Sequence, residues 1–211
     1  MFTSTRTTTA AAAFAVVMAS ALPVMAGDII QEWNAAKAPE APALKQVSVS
    51  AKDTALIVMD LQTNSCNMKR RPRCVASIPK VKALLERARA KGVPVVYTFT
   101  SSGSFDNFIK DVTTVGNEPS VKSSVDKFYK TDLEKILKSK GTKQVILVGT
   151  AAEGAVLGTA TGAAMRKLKV IVPVDGMSSD AFAEQYTAIY LTTSPGTAKA
   201  TTLTRTDMID F

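Results

Sequence analysis

A three-layer α/β/α domain on a mostly parallel central sheet is the fold class this sequence predicts, from three observations. Residues 54–59, 93–99, 144–148 and 168–174 are apolar runs of strand length without the polar alternation of a half-wet sheet, so each reads as a strand buried on both faces. Between them lie segments whose apolar residues recur at helical spacing. Strand and helix therefore alternate, which predicts parallel strands joined by right-handed crossovers, with helices covering both faces.

In chain order, Arg6, the apolar run 10–21 and Val24-Met25-Ala26 read as a signal peptide over residues 1–26, cleaved after Ala26. The run is short and alanine-rich for a membrane anchor, and no later segment is apolar enough to span a bilayer. Residues 27–50 are expected to form a surface arm with a short helix at 29–36, and residues 51–211 the domain proper. Strand 54–59 ends at Asp60. Ile78, Val81, Leu84, Leu85 and Ala88 mark the first helix, which Gly92 stops before strand 93–99. Thr131 caps a helix through Leu137. Strand 144–148, a helix over about 155–167, strand 168–174, a helix at 181–192 and an edge strand at 201–204 complete the order.

Composition narrows the chemistry. The chain carries 26 Lys and Arg against 18 Asp and Glu, a formal charge of +8, which favours anionic small-molecule ligands without naming one. It has no histidine, so histidine triads and proton relays are excluded and zinc binding is poorly supported; no metal or cofactor is expected. Its two cysteines, Cys66 and Cys74, flank the basic segment Asn67-Met68-Lys69-Arg70-Arg71-Pro72-Arg73. In a periplasmic or secreted protein they are expected to close a disulfide. The basic stretch lacks interleaved aromatic residues and is read as a solvated or glycan- or lipid-facing loop, with no nucleic-acid role.

Asp60 directly follows an apolar strand, where partial desolvation raises a carboxyl pKa and suits proton transfer. In an open parallel sheet ligands bind beyond the carboxyl ends of the strands, where both Asp60 and residues 149–155 fall. An aspartate at a strand end is more often a turn or helix cap, so specificity must come from several segments together.

Three segments provide it: Leu56-Ile57-Val58-Met59-Asp60-Leu61-Gln62; Val121-Lys122 with Phe128 and Thr131-Asp132-Leu133; and Val148-Gly149-Thr150-Ala151-Ala152-Glu153-Gly154-Ala155-Val156. In this order and spacing the chain resembles the isochorismatase-like, or cysteine hydrolase, superfamily from about Thr54 through Ser179. The resemblance implies that Asp60 is the catalytic acid/base and that Lys122, six residues before Phe128, holds and polarises it, with Lys127 as second candidate. It implies a cis peptide bond at Thr150-Ala151. It also implies a substrate seat formed by the backbone of Thr150, Ala151, Gly154 and Ala155 together with the helix start, in the manner of an oxyanion hole.

Two departures limit the carry-over. Ala155 stands where amidases of the family have their cysteine, and a methyl group can neither attack a carbonyl nor form a thioester. After Tyr97, where the family's nicotinamidases bind metal through histidines, this chain reads Thr98-Phe99-Thr100-Ser101-Ser102. Isochorismatases proper have glycine at the cysteine position and use the aspartate as a general acid on a vinyl ether, which Ala155 permits. Two functions stay open: an exported hydrolase of unknown substrate using an Asp/Lys pair, and a catalytically inactive member that binds a small molecule. Export weighs against isochorismate itself, a cytoplasmic metabolite. The sequence leaves open whether the protein is a homo-oligomer.

Overall fold

A computed structural model of the chain describes Met1 and residues 27–211; the expected signal segment, Met1 apart, lies outside the described residues. The described residues fall into two compact units, Met1–Ala38 and Pro39–Phe211. In the first, residues 29–35 form successive turns in place of the expected helix. Asp28 Oδ1 accepts from the N–H groups of Ile30 and Gln31 at 2.9 and 3.1 Å, but a segment this short has too few backbone bonds to offset helix nucleation.

The second unit starts earlier than the expected domain boundary at 51. Strand β1, Val47–Ser48, pairs in parallel with β9, Ile209–Asp210, and Val49 is buried in the core. The main sheet has seven strands: β2 (Thr54–Met59), β3 (Val95–Phe99), β4 (Ser120–Lys122), β5 (Gln144–Thr150), β6 (Lys169–Pro173), β7 (Met177–Ser178) and β8 (Thr201–Thr204). Their order is β4-β3-β2-β5-β6-β8, with β7 on β5, and every pairing is parallel.

Strand alternation sorts the core into two layers. Leu56 and Val58 of β2 pack with Val81, Leu84 and Leu85 of α1 (Pro72–Ala90). Ala55, Ile57 and Met59 face Leu133 and Leu137 of α2 (Leu133–Ser139), Ala160 and Ala163 of α3 (Leu157–Met165) and Leu191 of α4 (Ala181–Thr193). All six β2 residues are buried, as its continuous apolar run requires. No helix among the described residues is long and apolar enough to cross a membrane.

The helix expected from Ala155 begins at Ala152 with a π-helical turn, Ala152–Val156, which continues as α3. α1 also starts ahead of its apolar repeat, because Pro72 occupies the first turn, where a missing N–H goes unneeded. Gly149, at φ 131° on β5, fits where a side chain would collide with the Met59 carbonyl of β2. That close approach brings the carboxyl ends of β2 and β5 together. From β2 the chain builds outward to β3 and β4 and then returns to β5 on the other flank, so these two ends form the switch point of the sheet.

Candidate active site

Asp60 turns off the end of β2 at φ 54°, a left-handed conformation uncommon for a residue with a side chain. Neighbouring groups hold it there. Its N–H donates to Thr98 O at 3.1 Å, and its carbonyl accepts from Gln62 N and from Ser65 Oγ, each at 2.8 Å. Its side chain is 6% exposed. Thr98 Oγ1 donates to Oδ1 at 2.8 Å, and Lys127 Nζ donates to Oδ2 at 2.7 Å.

The Lys127 ammonium is wholly buried and also donates to the carbonyls of Ser124 at 2.7 Å, Ser123 at 3.1 Å and Phe99 at 3.4 Å. A buried ammonium is tolerable only with such a full set of acceptors and a counter-charge. The loop that delivers it is anchored at both ends. Ser123 N donates to Phe99 O, and Lys127 N donates to Thr159 Oγ1 on α3.

This arrangement corrects the expected Lys122–Asp60 pair. Lys122 lies exposed on the short edge strand β4, where Val121 turns inward and Ser120 and Lys122 turn outward. It borders a separate depression with Lys130 and Lys135. Strand alternation turns Lys122 outward, whereas the loop after β4 carries Lys127 back to Asp60 at the end of β2.

Burial pushes the Asp60 carboxyl above its ordinary 3.8. The Lys127 charge, the hydrogen bonds from Lys127 and Thr98 and the more distant charge of Arg71 oppose that rise without cancelling it. Asp60 is therefore a buried carboxyl group, hydrogen-bonded on each oxygen, facing a cleft of about 450 Å3.

The opposite wall is the segment expected to seat a substrate. Thr150, Ala151, Gly154 and Ala155 all line the cleft, and Thr150-Ala151 is cis. Thr150 Oγ1 donates to Ser178 O at 2.8 Å, tying this wall to β7. The N–H of Gly154 is already used, donating to Ala151 O at 3.1 Å, so the donor character of this wall comes from the N–H groups of Ala152 and Glu153, which lack acceptors within the turn. Ala155 places a methyl group here, and Cys66 and Cys74 are joined in a disulfide with Cα atoms 5.4 Å apart, so neither of the chain's two cysteines is a free thiol.

Several residues that line the cleft or support it from behind escaped the sequence reading. Thr98 is one, since only the register Met59↔Thr98 sets it beside Asp60. Gln62 is another: fully buried, its Oε1 accepts from Thr100 N at 3.0 Å, fixing the β3 loop that brings Ser101 and Ser102 to the rim. Arg70 and Arg71, read as part of an outward-facing loop, also line the cleft. The disulfide was the one sequence signal able to place them, since it folds their loop back on itself.

Fold and site together define an α/β protein with a buried Asp60–Lys127 pair at the switch point of a parallel sheet. Residues 54–205 match the isochorismatase domain family, and the chain belongs to that family. A secreted isochorismatase effector of Verticillium dahliae is 30% identical over 142 residues, covering 62% of this chain and 75% of that protein. Among solved structures, N-carbamoylsarcosine amidase of Thermoplasma acidophilum has a TM-score of 0.64 at 23% identity, covering 74% of this chain and 97% of the other. An isochorismatase family protein of Burkholderia thailandensis has a TM-score of 0.66 at 20% identity, covering 77% and 95%. These two likenesses concern the fold, which by itself assigns no reaction.

Proposed function

We propose that the protein is an exported hydrolase, periplasmic or secreted, that works by acid–base chemistry on a small molecule without a cysteine nucleophile. The observation that carries this reading is the buried Asp60–Lys127 pair opening onto the cleft opposite the 150–155 backbone. Asp60, with its carboxyl pKa raised, donates its proton to a substrate carbon of an enol-ether type. Water then adds to the oxocarbenium-like carbon and returns one proton to Asp60. The hemiketal collapses to a carbonyl as that carbon's bond to the ether oxygen breaks, the oxygen leaving as an alcohol with the second water proton. Lys127 orients the carboxyl group and limits how far its pKa rises, while the donors of the 150–155 wall hold the polar end of the substrate. The secreted isochorismatase effector of Verticillium dahliae joins export and an isochorismatase description in one relative. That weakens the objection that an exported protein is misplaced for such chemistry.

The second reading, a binding protein without turnover, is favoured by one specific observation, the Ala155 methyl at the helix start. A screen of purified protein against enol ethers, amides and esters, comparing wild type with Asp60→Asn, separates the two. Turnover of an enol ether that disappears in Asp60→Asn supports the hydrolase. Saturable ligand binding without turnover of any class supports the binding protein.

A further inference from the structure

The loop from Asp60 to α1 is closed on itself. Cys66 N donates to Gln62 O at 2.8 Å, Asn67 Nδ2 to Thr63 O at 3.0 Å, and Arg71 N to Asn67 O at 2.8 Å. The disulfide then ties buried Cys66 to buried Cys74 in the first turn of α1. The basic residues within and beside this closure meet different fates. Lys69 is exposed, and Arg73 has its guanidinium fork filled by Glu184. Elsewhere the forks of Arg89 and Arg166 engage Glu118 and Glu134.

Arg71 differs from all of these. It is half-buried on the cleft wall, its Nη1 donates to Ser65 O at 3.2 Å, and among the described residues no carboxylate lies within ion-pair distance of it. A guanidinium carries five donors in a planar fork suited to an oxyanion. One of these is used, in a place where hydration is already reduced. Asp60 is neutralised by Lys127, which leaves Arg70 and Arg71 facing Glu153 alone among the charged cleft residues.

We propose that Arg71, held at the cleft by the Cys66–Cys74 disulfide, is the residue that selects the ligand, and that the ligand carries a carboxylate or phosphate group bound to its guanidinium. This rests on the reading of the Asp60 cleft as the substrate site, and it names the class of molecule admitted there. Arg71 fixes the anionic end while the rest of the ligand reaches Asp60; the disulfide is a positioning element that acts through Arg71.

The test is equilibrium binding to the oxidised protein, followed by amide NMR shifts, with benzoate, phenyl phosphate and neutral benzamide as probes. At least one anion should bind saturably and about tenfold or more tighter than benzamide, the difference expected of a hydrogen bond to a charged group. The better of the two anions identifies carboxylate or phosphate as the natural group. Arg71→Gln should abolish the preference, and Arg71→Lys should restore part of it, as a point charge without the fork. Glu153→Gln should tighten anion binding, and Arg71→Gln should remove most of that gain, a coupling that a purely structural role for Arg71 would not produce.

Reduction with dithiothreitol should weaken anion binding towards the Arg71→Gln value and leave benzamide unchanged. If the reduced protein unfolds, Arg71→Gln in the oxidised protein carries the test. Equal binding of anions and benzamide, failure of all three probes, or an anion preference that survives Arg71→Gln would overturn the proposal. A folded, reduced protein with undiminished anion affinity would overturn the role of the disulfide. The anion preference is read from binding alone and the hydrolase reading from Asp60-dependent turnover, so either can fail while the other stands.

Discussion

The floor of the cleft and its rim are built by different means. The floor is Asp60 at the end of a six-residue buried strand, with Lys127 locked beneath it by the carboxylate and three carbonyls. The rim is loop: Arg70 and Arg71 from a disulfide-closed turn, and Ser101 and Ser102 after β3. Strand order and burial fix the floor, so its chemistry is tied to the fold. The rim is held by a few hydrogen bonds and one covalent link, so it can change ligand choice without disturbing the core.

The sharpest way to break this division is to disable the floor. Asp60→Asn should cut turnover of any substrate found by about a hundredfold to ten-thousandfold, measured as kcat on protein that circular dichroism shows to be folded. Next in size is stability. Lys127→Ala strands a buried carboxylate and should cost about 3–5 kcal/mol, whereas Lys122→Ala on the exposed edge should stay within about 0.5 kcal/mol, both from urea unfolding. Equal losses at the two lysines would erase the distinction between a lysine of the floor and one of the surface.

Those two lysines also mark where sequence reasoning stops. The strand–helix alternation, the position of Asp60, the Thr150 to Ala155 wall and the cysteine pair were legible, because each rests on local pattern or on motifs that fall within one element. The choice between Lys122 and Lys127 was not. It depends on how a loop recrosses the strand ends, and that follows from long-range bonds such as Lys127 N to Thr159 Oγ1. Thr98 was hidden for a related reason, since inter-strand register is not written in either strand alone. Arg71 was read as part of an outward-facing loop because the basic stretch lacks interleaved aromatic residues, and only the closed loop turns it inward. At the N-terminus, residues 29–36 showed a helical pattern too short to form a helix without packing.

Two smaller effects sharpen the comparison. Breaking the Cys66–Cys74 bond should destabilise the protein towards the lower end of about 2–4 kcal/mol, because the loop it closes is short, as read by thermal unfolding with and without reductant. A loss as large as that of Lys127→Ala would mean that the rim carries the fold after all. The floor should leave its own pH signature. Asp60 binds its proton more tightly in the native protein than in the unfolded chain, so its contribution to stability is full below 3.8 and is lost as pH rises through the raised native value. Wild type should therefore lose stability relative to Asp60→Asn across that window in urea titrations, and a flat difference would show that burial does not govern this carboxyl.

The most direct test of the account is the pH dependence of kcat/KM for the wild-type protein, with and without iodoacetamide. An acid-catalysed reaction needs Asp60 protonated, so the rate should fall as pH rises through one ionisation lying above 3.8, and alkylation should leave it unchanged. A rate that instead climbs with pH and is abolished by iodoacetamide would contradict the account, because it would require a thiolate nucleophile at neutral to alkaline pH.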